Sequence, residues 1–98
     1  MTDTVDDAAD VEEIRETLED IVRLLVDSPD DVAVGISGSV GTVLFTVKVN
    51  PDDTGKVIGK GGRIADSLRN LIASACGRLN KRAYVEIPAK SREEMVKP

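Results

Sequence analysis

The sequence predicts a two-layer α+β domain in the order α-β-β-α-α-β, a three-stranded mixed sheet carrying three helices on one face. Three observations carry that expectation. Apolar residues at helical spacing and apolar residues in strict alternation occupy separate stretches of the 98-residue chain. A glycine cluster, Gly59-Lys60-Gly61-Gly62, divides its second helical half into two pieces. The last strand follows two helices rather than a tight turn, so it can return parallel to a neighbour and make the sheet mixed.

Residues 1–9 are acidic and small, without periodicity, and are expected to form a disordered tail. Asp10 followed by Glu13 outlines a helix start, with Asp standing where a capping box usually has Ser or Thr. Val11, Ile14, Leu18, Ile21, Val22 and Leu25 then recur at helical spacing, predicting a helix over 10–26 with an acidic outer face. Asp27-Ser28-Pro29 stops it.

Val32, Val34 and Ile36 alternate with smaller residues and read as a short strand. Thr42 to Val49 is the clearest strand of the chain, with Val43, Phe45, Val47 and Val49 facing one way and Leu44, Thr46 and Lys48 the other. The Gly38-Ser39-Val40-Gly41 turn between them also has the form Gly-x-x-Gly. Because it joins two strands, its glycines are assigned to reversing the chain.

Asn50-Pro51-Asp52-Asp53 reads as a second helix start, with Asn as N-cap, Pro in the first turn and carboxylates complementing the dipole. With no third ligand nearby, the adjacent carboxylates are assigned to capping rather than to a metal. This short helix ends at Ile58-Gly59. After Gly62 the apolar stripe is Ile64, Leu68, Leu71, Ile72, Ala75 and Leu79, a core-facing helix to about Leu79. Leu71 and Ile72 fall at opposite sides of that arc, so one of them is expected to stay partly uncovered. Cys76 lies at its edge and reads as a small buried hydrophobe. Arg82 to Ile87 closes the domain as a strand. Residues 89–98 are expected to form a loose tail, leaving a domain over 10–88.

Composition narrows the function. No histidine is present, which removes Ser-His and Cys-His nucleophile pairs and the common zinc sites. The single cysteine suits a reducing cytoplasm. No apolar run approaches the roughly 20 residues of a bilayer span, and the acidic N-terminus does not resemble a secretory signal. The expectation is a non-enzyme without cofactor, metal or membrane partner.

The net charge of −5 hides an asymmetry. Residues 1–31 carry twelve Asp or Glu against Arg15 and Arg23, whereas residues 48–82 carry eight Lys or Arg against Asp52, Asp53 and Asp66. A local basic stripe outweighs the global charge when a polyanion is the partner.

That stripe centres on Gly55-Lys56-Val57-Ile58-Gly59-Lys60-Gly61-Gly62-Arg63-Ile64. Glycines allow the backbone to approach a ligand closely, the cations surround it, and a helix starting directly afterwards adds its positive dipole end. A P-loop would need four residues between its glycines and a Ser or Thr after the Lys. Gly55 and Gly59 are separated by three residues, and Gly61 follows Lys60. A dinucleotide fingerprint fails as well, since Gly-x-Gly-x-x-Gly and the surrounding βαβ unit are both missing.

Val57-Ile58-Gly59-Lys60-Gly61-Gly62 between two helices, with a strand on either side, resembles a KH domain. Element order extends the resemblance over 10–88, and the N-terminal helix and strand are similar to the type II arrangement. The Pro51-Asp52-Asp53-x-Gly55-Lys56-Val57-Ile58-Gly59 run and Arg63-Ile64-Ala65 resemble most the small single-KH bacterial proteins called KhpA. The resemblance implies that a GXXG loop clamps the backbone of single-stranded RNA. It also implies an RNA chaperone or regulator acting as a homodimer or paired with a larger KH-containing protein.

On that reading Gly59, Gly61 and Gly62 admit phosphates to main-chain N–H groups. Lys60 is the first side-chain contact, with Lys56 and Arg63 next, and Val57 and Ile58 offer an apolar platform for bases. Ile64 reads as core. Phe45 points with the core valines, so stacking on aromatics is largely missing. A second class remains open, a non-catalytic protein-interaction or assembly module of the same shape. The glycines retained beside cations favour RNA.

Overall fold

The computed structural model of the chain describes residues 3–88, with side chains from Asp10 onward. Its elements are α1 (Asp3–Leu25), β1 (Ala33–Ser39), β2 (Thr42–Lys48), α2 (Thr54–Ile58), α3 (Arg63–Gly77) and β3 (Arg82–Glu86). β2 is the middle strand, antiparallel to β1 and parallel to β3. The sheet is mixed, and the expected α+β order with three helices and three strands is what the chain adopts.

Alternation in the strands decides where the core sits. Val34 pairs with Val47 and Ile36 with Phe45 across β1 and β2, while Val43 meets Ala83 and Phe45 meets Val85 across β2 and β3. These residues share one face. Leu18 and Val22 of α1, Val57 of α2, and Ala65, Leu68, Ile72 and Cys76 of α3 complete the cluster. Phe45, Leu18 and Val22 are fully buried, and each such side chain contributes about 1.5–3 kcal/mol. Cys76 is buried as well, and that burial pushes its thiol up, partly opposed by Lys81.

α1 is held to the sheet edge by more than apolar contact. The Glu19 carboxylate accepts the Val34 N–H at 3.1 Å, and Arg15 donates to the Val34 carbonyl at 3.1 Å. The two side chains cover main-chain groups that an edge strand would otherwise leave unpaired.

Two boundaries differ from expectation. α1 begins at Asp3 rather than Asp10, so most of the stretch expected as a disordered tail is helical. Its Asp residues favour a helix N-terminus, and its alanines are good helix formers. α3 ends at Gly77, and the chain then turns through Asn80 at φ 62°. Position 80 is left-handed and the Lys81 N–H returns to the Cys76 carbonyl at 3.0 Å, so the last turn tightens and closes the helix around Leu79. The tail expected over 89–98 lies outside the described residues. The reversal joining β1 to β2 is shorter than expected, only Val40-Gly41, because Gly38 and Ser39 pair with Val43 and Thr42 as the last residues of β1.

Candidate nucleic-acid interface

α2 is prepared by a turn of 3-10 helix over Pro51–Asp53, capped by Asn50, whose side-chain oxygen accepts the Asp52 N–H at 2.9 Å. Asp53 does more than complement a dipole. Its carboxylate is buried, accepting the Ser28 N–H at 3.0 Å and lying 3.5 Å from the Lys56 ammonium. It thereby ties the segment after α1 to the helix that carries the glycine loop.

α2 stops because Gly59 adopts φ 79° and ψ 172°, with its N–H returned to Gly55 at 2.8 Å. Gly61 and Gly62 follow at φ 62° and φ 79°. The Gly62 N–H bonds to Gly59 at 3.1 Å and the Arg63 N–H to Lys60, leaving the N–H groups of Lys60 and Gly61 outside this turn ladder. α3 then begins with Gly62 as N-cap and no side-chain cap. Exposed main-chain donors and an uncapped, positive helix end therefore meet at one loop, an arrangement that accommodates an anion.

The side chains expected at this site divide into three groups. Lys60 and Arg63 are exposed and enter no ion pair among the described residues. Lys56 is already engaged. Asp27 lies 3.5 Å away, and Asp27 first, then Asp53, hold its ammonium above its ordinary pKa despite the opposing cost of burial. Val57 corrects the expected apolar platform, because it is fully buried in the core. Ile58 and Ile64 are half-buried against that core. Ile64 sits under Gly59, where a Cβ would come within 2.7 Å of its Cγ1.

The role of Arg69 has no signature in the sequence. From α3 it donates to the Val85 carbonyl at 3.2 Å and lies 3.4 Å from Asp66. The Asp66–Arg69 spacing signals only a local helix pair. The reach to β3 depends on the parallel return of the last strand, which a linear pattern does not carry. Among the described residues there is no group of three or more His, Cys, Asp or Glu side chains able to hold a metal, and no helix long and apolar enough to cross a membrane.

The family model for the KH domain of KhpA/KhpB matches residues 15–87. A protein described as RNA-binding protein KhpA from Clostridium acetobutylicum is 45% identical over 74 residues, covering 76% of this chain and 99% of that protein. Its counterpart from Oceanobacillus iheyensis is 40% identical over 70 residues, covering 71% of this chain and 93% of that protein. One from Mycobacterium tuberculosis is 49% identical over 63 residues, covering 64% and 79%. The matched region takes in the sheet, the glycine loop and both helices that flank it, and on these grounds the chain belongs to the KhpA/KhpB family of KH-domain proteins.

Proposed function

We propose that this chain binds single-stranded RNA, with the Gly59–Gly62 loop clamping the sugar-phosphate backbone of about four nucleotides. The observation that carries the reading is the loop itself. Three glycines at positive φ shape a turn that leaves the N–H groups of Lys60 and Gly61 outside its hydrogen bonds, beside the exposed side chains of Lys60 and Arg63. Several relatives are described as RNA-binding proteins, which supports the same reading. Lys60 and Arg63 supply the side-chain phosphate contacts, and Ile58 offers the apolar surface beside them. Lys56 acts at one remove, since Asp27 and Asp53 compete with any phosphate for its ammonium.

A clamp of this size binds weakly by itself, so the biological form on this reading is paired, with a second copy or a larger KH-containing protein. A role as RNA chaperone or post-transcriptional regulator follows from backbone recognition, which is tolerant of sequence. The test is a titration of mixed-sequence RNA tetramers against the Lys60→Asp/Gly61→Asp variant. Nothing lies within 4 Å of a Cβ at Gly61, and Asp tolerates the left-handed conformation there, so the variant folds. Loss of binding in the folded variant is expected; unchanged affinity overturns the assignment.

A further inference from the structure

The sheet face turned away from the helices carries the one aromatic side chain that solvent reaches. The chain has a single Phe and a single Tyr. Phe45 is fully buried, whereas Tyr84 is 52% exposed. Ala83 and Val85 point to the core, so Tyr84 points away from it, in register with Leu44 of β2. Arg82 shares that face two residues away, about 7 Å along the strand, and is exposed. Arg78 and Lys81 precede it in the turn, so this end of the sheet is cationic, with Glu86 the one carboxylate on β3. At the far corner Lys48 borders a shallow hollow of about 360 Å³ shared with Gly35, Ser37 and Thr46.

We propose that this face is a second single-stranded RNA subsite, in which a base stacks on the Tyr84 ring and the adjoining phosphate pairs with Arg82. The proposal rests on reading the glycine loop as an RNA clamp and extends the path of the strand beyond it. Arg69 joins α3 to the outer edge of β3 through the Val85 carbonyl, so RNA leaving the loop along α3 has only β3 to cross before it meets Tyr84. The surroundings favour nucleic acid over protein. The core of a protein-docking patch is apolar and depleted of charge. Here one exposed ring stands between Arg82 and Glu86 on its own strand, with the hydroxyls of Thr42, Thr46 and Ser37 across the sheet and the half-buried Leu44 as its only large apolar neighbour on the face. A ring and a cation two residues apart on one strand face match the needs of one nucleotide, and stacking tolerates any base because every base has a π-face.

The chain contains no tryptophan and no other tyrosine, so tyrosine emission reports this position alone. The experiment titrates the full chain with mixed-sequence RNA 4-mers and 10-mers, following both tyrosine emission and the anisotropy of a labelled RNA. The 10-mer should quench emission and bind more tightly than the 4-mer. Tyr84→Ala should weaken the 10-mer about 5- to 150-fold, the range of one lost stack, and leave the 4-mer unchanged. Tyr84→Phe should retain 10-mer affinity. Three results overturn the proposal: emission unmoved by a bound 10-mer, equal weakening of both lengths, or a changed oligomeric state of Tyr84→Ala with RNA affinity intact, which assigns the face to protein. Failure of the clamp itself looks different, because then neither length binds, or the Lys60→Asp/Gly61→Asp variant binds as the wild type does.

Discussion

Gly59 and Ile64 are packed so closely that a Cβ on the glycine would stand 2.7 Å from Cγ1 of the isoleucine. This contact folds the loop back onto the first turn of α3. Gly59 also combines φ 79° with ψ 172°, a region almost closed to residues with a side chain. Gly61 and Gly62 differ, since both are left-handed and have open space where a Cβ would go. The three glycines are therefore not equivalent.

Gly59→Ala should cost about 2–3 kcal/mol, from the backbone region and the contact together. For a domain of this size that is a fall in Tm on the order of 10–20 °C. Gly62→Asn should cost about 1 kcal/mol or less, because Asn tolerates the left-handed region. Thermal unfolding followed by circular dichroism compares them, and equal losses would contradict the distinct role of Gly59.

The second prediction concerns acid. Burial raises the pKa of Glu19, but the Val34 N–H, Arg23 and Arg15 outweigh it and leave the carboxyl below the ordinary value of 4.5. A folded-state pKa that is lowered stabilises the protein above the unfolded-state value, and that stability is lost as pH falls through the folded-state value. At pH 7 Glu19→Gln should be less stable than wild type by about 1 kcal/mol. The difference should shrink as pH drops below about 4, the wild type losing its advantage. Urea melts at pH 7 and pH 3 measure this. A gap that persists at pH 3 would show that Glu19 acts through packing and not through charge.

What the sequence revealed and what it hid follow from range. The alternation from Val43 to Val49 exposes the sheet face directly, and the stripe from Ile64 to Leu79 exposes the face of α3, because each pattern is local and long enough to have a period. α2 spans Thr54–Ile58, too short for a period, so nothing local distinguished buried Val57 from half-buried Ile58. Lys56 looked free because its partner Asp27 lies in the segment after α1, far off in the chain. Asp53 looked like a cap residue for the same reason, its hydrogen bond to Ser28 spanning 25 positions. The glycine loop was legible because backbone conformation is encoded by glycine itself.

Salt dependence should separate phosphate binding from protein binding. A clamp that covers about four nucleotides makes three or four phosphate contacts, and each contributes about −0.7 to the slope of log K against log salt for single strands. The expected slope is about −2 to −3. Arg63→Ala should reduce it by about 0.7 if its guanidinium holds one phosphate. A slope near zero would favour the protein-interaction reading of the domain.

The last prediction is that α3 carries a self-association surface at Leu71. Of the two residues at the sides of its apolar arc, Ile72 is 3% exposed and Leu71 is 54% exposed, so the sheet covers one and leaves the other in solvent. A lone exposed leucine is unremarkable on a protein surface, and Leu24 of α1, 85% exposed, provides the comparison. Leu71 differs in its position, on the helix that begins at the glycine loop, where pairing would join two loops in one particle and raise the affinity for a long RNA through avidity. Because Leu71 lies outside the core, Leu71→Lys should stay folded by circular dichroism and sediment as a monomer where the wild type sediments as a dimer. Leu24→Lys should leave both properties unchanged. An unfolded Leu71→Lys would mean that the residue supports the core after all, and a folded dimer would move the interface elsewhere. A wild type that is itself monomeric at tens of micromolar would remove self-association and leave a different KH-containing chain as the partner to test on the same helix.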